Sequence, residues 1–414
     1  MYARKRLDIG WRDIAFGLIR CVGSSDATAA RRRVEEWFAP PGSRGGALCT
    51  LSVRTGFDLY LRELALPAGS EVLVSALTIP DMWKIIEHHG LVPVPVDIDG
   101  KSLAPPVELC RRAATPRTRA FLIAHLFGTR IALEPYAALC RENRWLLLED
   151  CAQAFTGPEY RGDPLADVSM FSFGPIKTAA ALAGGVLRVQ DARIVEAMRA
   201  REGTYPSQER GAFAQRLFKY AGLKALSYPL PYTAFVKSCA WLGRDHDRVI
   251  QSSVRGFAGG SFFEKIRRRP SRALCALLER RLYRGDSRRV LRRTERSQQL
   301  VRALGGAFDI PGSECTRHSF WVFTLLVPDP DRAVADLRAA GFDATRIATL
   351  SALPAPRGRE AMEPRDAQRL LTRMVYLPVY PELPERRVEE LARVLRRSTQ
   401  AARPLDPSVA GAAI

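Results

Sequence analysis

Long apolar runs are missing from this 414-residue chain. No stretch approaches the roughly 18 uninterrupted apolar residues that a membrane-spanning helix requires. The N-terminal MYARKRLDIGWRDIAFGLIRC begins basic, but polar and charged residues interrupt its apolar segment and no small-residue cleavage site follows, which argues against a secretory signal. Paired cysteine motifs are absent too. Cys21, Cys49, Cys110, Cys140, Cys151, Cys239, Cys275 and Cys315 stand singly and never approach a C-x-x-C spacing, so neither a disulfide framework nor a zinc site is expected. With no signal, the expected placement is cytoplasmic. Polar low-complexity tracts are also lacking, and at 47% hydrophobic and 26% charged the composition is that of a globular chain.

Acid is scarce relative to base: 63 Lys and Arg stand against 44 Asp and Glu, a formal charge of +19. The surplus has two readings, attraction to an anionic partner or an arginine-rich solvated surface, and the second is the commoner fate of charge without a motif. A nucleic-acid partner is not expected.

Alternating strand and helix patterns dominate the first half. Leu48 to Val53 reads as a strand, followed by a helix with Phe57, Tyr60, Leu61 and Leu64 on one face, so that Arg54, Thr55 and Gly56 fall at its N-terminus. Strands are expected at 71–75, 92–96, 120–125 and 145–149, with helices near 82–89, 107–114 and 133–143 between them. Repeated β-α-β units predict a mainly parallel sheet with helices on both faces and a ligand site at the carboxyl ends of the strands. From about 192 to 300 the pattern turns helical and basic. YPLPYTAFVKSCAWL (228–242) is apolar and aromatic, and the run 266–297 is dense in arginine. Both read as helices with solvated basic faces, or as a surface resting on an anionic membrane. The last hundred residues read as a small α+β unit, with strands at 319–327 and 374–378 and helices at 331–340 and 385–396. The expected division is an N-terminal segment 1–47, a large domain 48–300, a small C-terminal domain 301–397 and a flexible tail 398–414.

The chemistry concentrates in WLLLEDCAQAFTGPEYRGDPLADVSMFSFGPIKTAAALAGGVLRV (145–189). An apolar strand delivers Asp150, a second delivers Ser172, and Lys177 stands alone among small residues. A loop lysine with a serine five residues earlier and an aspartate 27 earlier matches what pyridoxal 5'-phosphate (PLP) requires. The amine forms a Schiff base with the aldehyde, a carboxylate holds a proton on the pyridine nitrogen, and hydroxyls and helix N-terminal amides hold the phosphate.

The segments EDCAQAF (149–155), FSFGPIKT (171–178) and AGGVLRV (183–189) resemble the DegT/DnrJ/StrS-type sugar aminotransferases, a family of fold-type I PLP enzymes. PAGSEVLVSALTIPDM (67–82), GLVPVPVDID (90–99), AHLFG (124–128) and MVYLPVYPELPERRVEEL (374–391) agree in order and spacing. The resemblance implies a large domain with a mainly parallel sheet flanked by helices, a small C-terminal α+β domain, and a homodimer. It makes Lys177 the Schiff-base lysine and proton shuttle, pairs Asp150 with the pyridinium nitrogen, and puts Gln153 on the ring hydroxyl. Ser172, Thr55 and Gly56 would hold the phosphate. His125 lies at a strand end, where it is either a satisfied buried histidine or part of the site. Two features depart from the family. Ile79 stands where an aromatic residue usually stacks on the ring, and the partner-subunit N-x-R-M segment has no clear counterpart, the nearest stretch being VRGFAGG (254–260) with Arg255. The implied activity is transfer of an amino group from an amino acid, glutamate by expectation, to a keto sugar, cyclitol or related metabolite. A dehydratase of the same family and a non-catalytic basic binding protein are the alternatives, and retention of Lys177 counts against dehydratases that replace it.

Overall fold

The computed structural model describes residues 1–23, 27–254, 261–286, 288–346 and 349–400. VRGFAGG and Arg255 fall largely outside the described residues, as do 401–414. Eleven strands run in chain order: β1 Gly46–Thr50, β2 Glu71–Ser75, β3 Leu77–Thr78, β4 Val92–Val96, β5 Thr118–Ala124, β6 Leu146–Asp150, β7 Val168–Ser172, β8 Gly185–Val189, β9 Phe323–Leu326, β10 Ser351–Ala352 and β11 Met374–Leu377. The helices of the first half are α1 Trp11–Val22, α2 Ala27–Phe38, α3 Val53–Leu64, α4 Pro80–His88, α5 Val107–Ala113, α6 Glu134–Asn143 and α7 Ala192–Gly203. Those of the second half are α8 Arg210–Leu226, α9 Pro229–Trp241, α10 His246–Val254, α11 Phe262–Ile266, α12 Arg272–Arg284, α13 Arg288–Leu304, α14 Pro330–Ala339, α15 Arg365–Arg373 and α16 Glu385–Gln400.

Seven strands form one sheet in the order β1-β8-β7-β6-β5-β2-β4. The run from β7 to β4 is parallel, while β8 is antiparallel to both its neighbours. Central strands such as Val72-Leu73-Val74 and Leu147-Leu148 are buried on both faces, which is why they read as unbroken apolar runs. Strand β4, VPVPV, tolerates Pro93 and Pro95 because it is the edge strand and pairs only with β2; a missing N–H costs nothing where no neighbour accepts it. The fold is therefore the α/β architecture expected, a mainly parallel sheet flanked by helices. A second, antiparallel pair, β9 with β11, is covered by α13, α14 and α16 over its own core of Phe323, Leu325, Val375, Leu391 and Leu395.

Three local expectations shift. Val53 opens α3 and does not end β1, because Ser52 caps the helix, its Oγ accepting from the Thr55 N–H at 3.2 Å. Strand β9 is shorter than 319–327, since Ser319 is pinned to the loop after β5 by its N–H (2.8 Å) and Oγ (3.1 Å) donating to the Gly128 carbonyl. Helix α16 continues past Arg397 to Gln400.

The arginine-dense run 266–297 is only in part a solvated face: Arg272, Arg284, Arg288 and Arg292 are exposed, while others reach distant acids. Arg280 and Arg281 reach Asp13, Arg281 and Arg289 reach Asp8, and Arg289 and Arg296 reach Glu382 and Glu385. These helices clamp the N-terminal residues onto both sheets. Residues 2–4 join the small unit directly: the Tyr2 N–H donates to the Gly341 carbonyl, and Arg4 pairs with Asp343 and Asp247. No helix among the described residues is long and apolar enough to cross a membrane.

Close approach fixes the start of α3. A Cβ on Gly185 would sit 2.4 Å from the Val53 nitrogen and 2.5 Å from the Ser52 carbonyl carbon, and a Cβ on Gly56 would overlap the Leu187 side chain. Gly185→Ala is therefore expected to destabilise the chain by about 1–3 kcal/mol, read as a lowered denaturant midpoint with an unchanged slope. An unchanged midpoint would show that α3 can back away from β8 without cost.

Candidate active site

The carboxyl ends of β6 and β7 bring Asp150 and Ser172 to one edge of the sheet, and β8 starts there at Gly185, paired with Ser172 on one side and Thr50 on the other. After β7 the chain turns through Gly174-Pro175-Ile176, the Lys177 N–H donating to the Gly174 carbonyl at 3.0 Å. A Cβ built on Gly174 would lie 3.8 Å from Ser172 Oγ and 3.9 Å from Lys177 Cγ, so the hydroxyl and the lysine stem flank the same small gap. Trp321, from the loop before β9, closes the far side. Its indole N–H donates to the Ile176 carbonyl at 3.0 Å, and Lys177 Nζ stands 4.2 Å from its ring centroid.

Burial pushes the Lys177 amine down to about 8; the Asp150 charge opposes this and the Arg54 charge adds to it. Burial raises the Asp150 carboxyl, offset in part by the Ala152 N–H on its Oδ1 at 2.9 Å and then by the charge of Lys177. Gln153, three residues on, accepts the Phe127 N–H on its side-chain carbonyl at 2.8 Å. That bond turns the amide NH2 into the free end, which can only donate.

Thr55 and Gly56 do not join this cluster. Thr55 Oγ1 donates to the Ile266 carbonyl at 2.7 Å and its N–H is taken by Ser52, while the Gly56 N–H bonds the Ser52 carbonyl at 3.1 Å. Because α3 begins at Val53, both residues are already one turn inside the helix. The residue that faces the cluster is Arg54, whose charge acts on both Lys177 and Asp150 and whose Nε donates to Asp81 at 2.5 Å. Ser52 as a cap was the sequence signal that would have moved the register. His125 is fully satisfied: the Ile131 N–H donates to Nδ1 at 3.1 Å, so Nε2 carries the proton and donates to Glu149 at 2.8 Å. Burial alone would raise Glu149, but the bond and charge of His125 together with the Ser169 hydroxyl and the bond from the Asp163 N–H outweigh it and hold that carboxyl below its ordinary value. Tyr160 also donates to Glu149. The group braces the ends of β5 and β6 and offers nothing to the cleft. Ile79, half-buried, caps α4 and packs on the core of the large sheet.

The cleft over Lys177 is cationic, and no local motif announces it. Lys5, Asp8, Arg289, Arg293 and Trp321 line it. Arg4 and Arg6 line it as well; Asp8 answers Arg289 and Asp343 answers Arg4, leaving Lys5, Arg6 and Arg293. Lys5 Nζ lies 3.9 Å from the Trp321 ring centroid, so two lysines share one indole. Burial, then the charges of Arg293 and Lys177, pushes Lys5 well below its ordinary value. Burial lowers Arg293 to about 10. Its Nε donates to the Ser319 carbonyl at 3.0 Å, but its buried Nη2 has no hydrogen-bond partner among the described residues. The arrangement offers a reactive amine, an acid at a strand end, and donors for anions on two sides.

Residues 31–224 match the DegT/DnrJ/EryC1/StrS aminotransferase family. The chain is 35% identical over 146 residues to the erythromycin biosynthesis sensory transduction protein EryC1 of Saccharopolyspora erythraea, covering 34% of this chain and 40% of that protein. It is 28% identical over 207 residues to GDP-perosamine synthase of Caulobacter vibrioides, covering 49% and 55%. The matches thus span about two-fifths to just over half of those relatives. The aminotransferase TlmJ of Streptoalloteichus hindustanus superposes over 97% of this chain and 99% of its own with a TM-score of 0.69 at 19% identity, a likeness of fold. The family likeness thus rests on residues 31–224, a little under half of this chain.

Proposed function

We propose that this chain is a PLP-dependent aminotransferase, a cytoplasmic homodimer that moves an amino group from an amino acid, glutamate by expectation, to a keto group on a sugar, cyclitol or related metabolite. The observation that carries the reading is the Lys177 amine, buried beside Asp150 with its pKa down at about 8. The donor set fits PLP: an amine and a strand-end carboxylate interacting across a cleft, a strand-end hydroxyl beside them, and a cation at a helix start. When bound, the cofactor supplies an aldehyde for the amine and a ring that accepts electrons.

In this reading Lys177 Nζ would be the amine that holds the cofactor's aldehyde and, once freed, would take and return the proton at the substrate's amine-bearing carbon. Both tasks need it neutral. At a pKa of about 8 in place of 10.5, roughly 300-fold more free amine is available at pH 7. Asp150 Oδ2 would hold a proton on the ring nitrogen, with Oδ1 fixed by Ala152. The Gln153 amide NH2 would donate to the ring oxygen. Ser172 Oγ and the Arg54 guanidinium would take the phosphate. Lys5 and the open Nη2 of Arg293 receive an anionic group of the substrate, and its charge restores the favour of their protonated forms. The GDP-perosamine synthase likeness supports a sugar acceptor.

Borohydride trapping after PLP addition is expected to label Lys177 and to fail in Lys177→Ala, with glutamate-dependent release of 2-oxoglutarate lost in the same variant. A label on another lysine would overturn the assignment. Cofactor uptake should rise about tenfold per pH unit below about 8 and level off above it, since the amine loses its proton as pH rises through that value; a rate still climbing at pH 10 would mean an exposed, ordinary lysine. Arg54→Ala should weaken PLP binding by about 10- to 100-fold in an absorbance titration, the loss of one charge-assisted contact, with Arg54→Lys restoring part of it. Thr55→Val should leave PLP affinity unchanged, because its hydroxyl serves Ile266.

A further inference from the structure

We propose that the outer faces of α1, α8 and α9 form a docking surface for an anionic membrane. On α9 the exposed positions Leu230, Ala234, Lys237 and Trp241 recur at i, i+4, i+7 and i+11, one face of the helix. Leu230 is 84% and Trp241 86% exposed. On α1 the exposed positions Trp11, Ala15, Ile19 and Val22 recur at i, i+4, i+8 and i+11, again one helix face, with Ile19 at 69% and Val22 at 88%. Phe218 of α8, 64% exposed, belongs to the helix that packs against both. The starts of α1 and α9 touch, Trp11 Nε1 donating to Tyr228 Oη at 3.4 Å.

These helices are not loosely attached. Their inner faces put Ile14, Phe213, Leu217 and Tyr220 into the large core, and Tyr232 of α9 donates to the buried Asp343. Apolar side chains therefore face outward from elements whose inward faces are already full, and a contiguous exposed apolar patch calls for a partner.

Charge selects the partner. Residues 210–242 contain Arg210, Arg216, Lys219, Lys224 and Lys237 and no Asp or Glu. Asp13, the one acid of α1, is engaged by Arg280 and Arg281. Lys224 lies 5.8 Å from the Trp11 ring centroid and Arg6 4.2 Å from that of Tyr228, so cations rim the aromatic residues. A two-fold pairing with a second copy would set this acid-free face against itself, like charge on like. Anionic headgroups complement it, while Trp, Tyr and Leu side chains enter the headgroup boundary as interfacial helices do. With no spanning helix among the described residues, the attachment is peripheral. The inference stands independently of the aminotransferase reading.

The test is flotation of the full chain with vesicles of phosphatidylcholine alone and of phosphatidylcholine mixed with phosphatidylglycerol. Binding is expected on the mixed vesicles only, with release near about 1 M salt, where the Debye length falls to about 3 Å. The double variant Leu230→Glu and Trp241→Glu should bind at least tenfold more weakly. Lys219→Glu and Lys237→Glu should each cost about fivefold or more in partition. All four residues are exposed, so the fold should hold, checked by an unchanged circular dichroism spectrum. Three results overturn the proposal: no flotation with the mixed vesicles at low salt, flotation undiminished in the double variant, or a wild-type chain that ignores vesicles while the double variant alone falls to a smaller mass by light scattering. The last would assign the face to a second copy.

Discussion

Taking the Lys177 ammonium out of water costs more than the neighbouring Asp150 returns, and the balance leaves an amine with a pKa near about 8. Much of the molecule serves that desolvation. Trp321 comes from the loop before β9 to cover the amine and is held by the Ile176 carbonyl. The segment from Arg4 to Asp8 forms another wall, and its place depends on ion pairs made from both sides: Arg4 with Asp343 in the small unit, Asp8 with Arg281 and Arg289 on α12 and α13. A cleft whose walls come from the N-terminal segment, the large sheet and the small unit closes only when all three are docked. The ion pairs remote from Lys177 therefore bear on its protonation, because any opening that admits water restores the charged form.

The large sheet was legible because its strands are buried on both faces and its edge strand carries alternating prolines. Residues 71–75 and 92–96 read as strands and are strands to the residue. The pair Asp150 and Lys177 was legible for a related reason: each follows an apolar run that could only be a central strand, so the chemistry had to sit at its end. Thr55 and Gly56 were misplaced by one helical turn, since periodicity locates a helix but not its first residue, and the cap at Ser52 decides which side chain faces outward. Arg54 emerges only when that cap is seen to engage the Thr55 N–H. Lys5 and Arg293 were hidden for a stronger reason. They are 288 residues apart in sequence and meet in the cleft that Trp321 and Lys177 also line, a proximity that no local pattern encodes.

The arginine surplus divides into two populations that composition cannot separate. In 266–297 the cations find carboxylates distant in sequence, Asp8, Asp13, Glu382 and Glu385, and act as struts between units. Arg293 differs from these struts: it is buried, lowered to about 10, and one of its nitrogens has no hydrogen-bond partner among the described residues. Residues 210–242 themselves contain no acid, and their cations are interspersed with exposed apolar side chains. The distinguishing variable is where the acids fall. An arginine run whose acids lie elsewhere in the chain folds onto them and becomes interior structure. A basic segment that also exposes Leu230 and Trp241 has no internal complement for either its charge or its apolar surface, and one partner, an anionic surface with an apolar layer beneath, satisfies both at once.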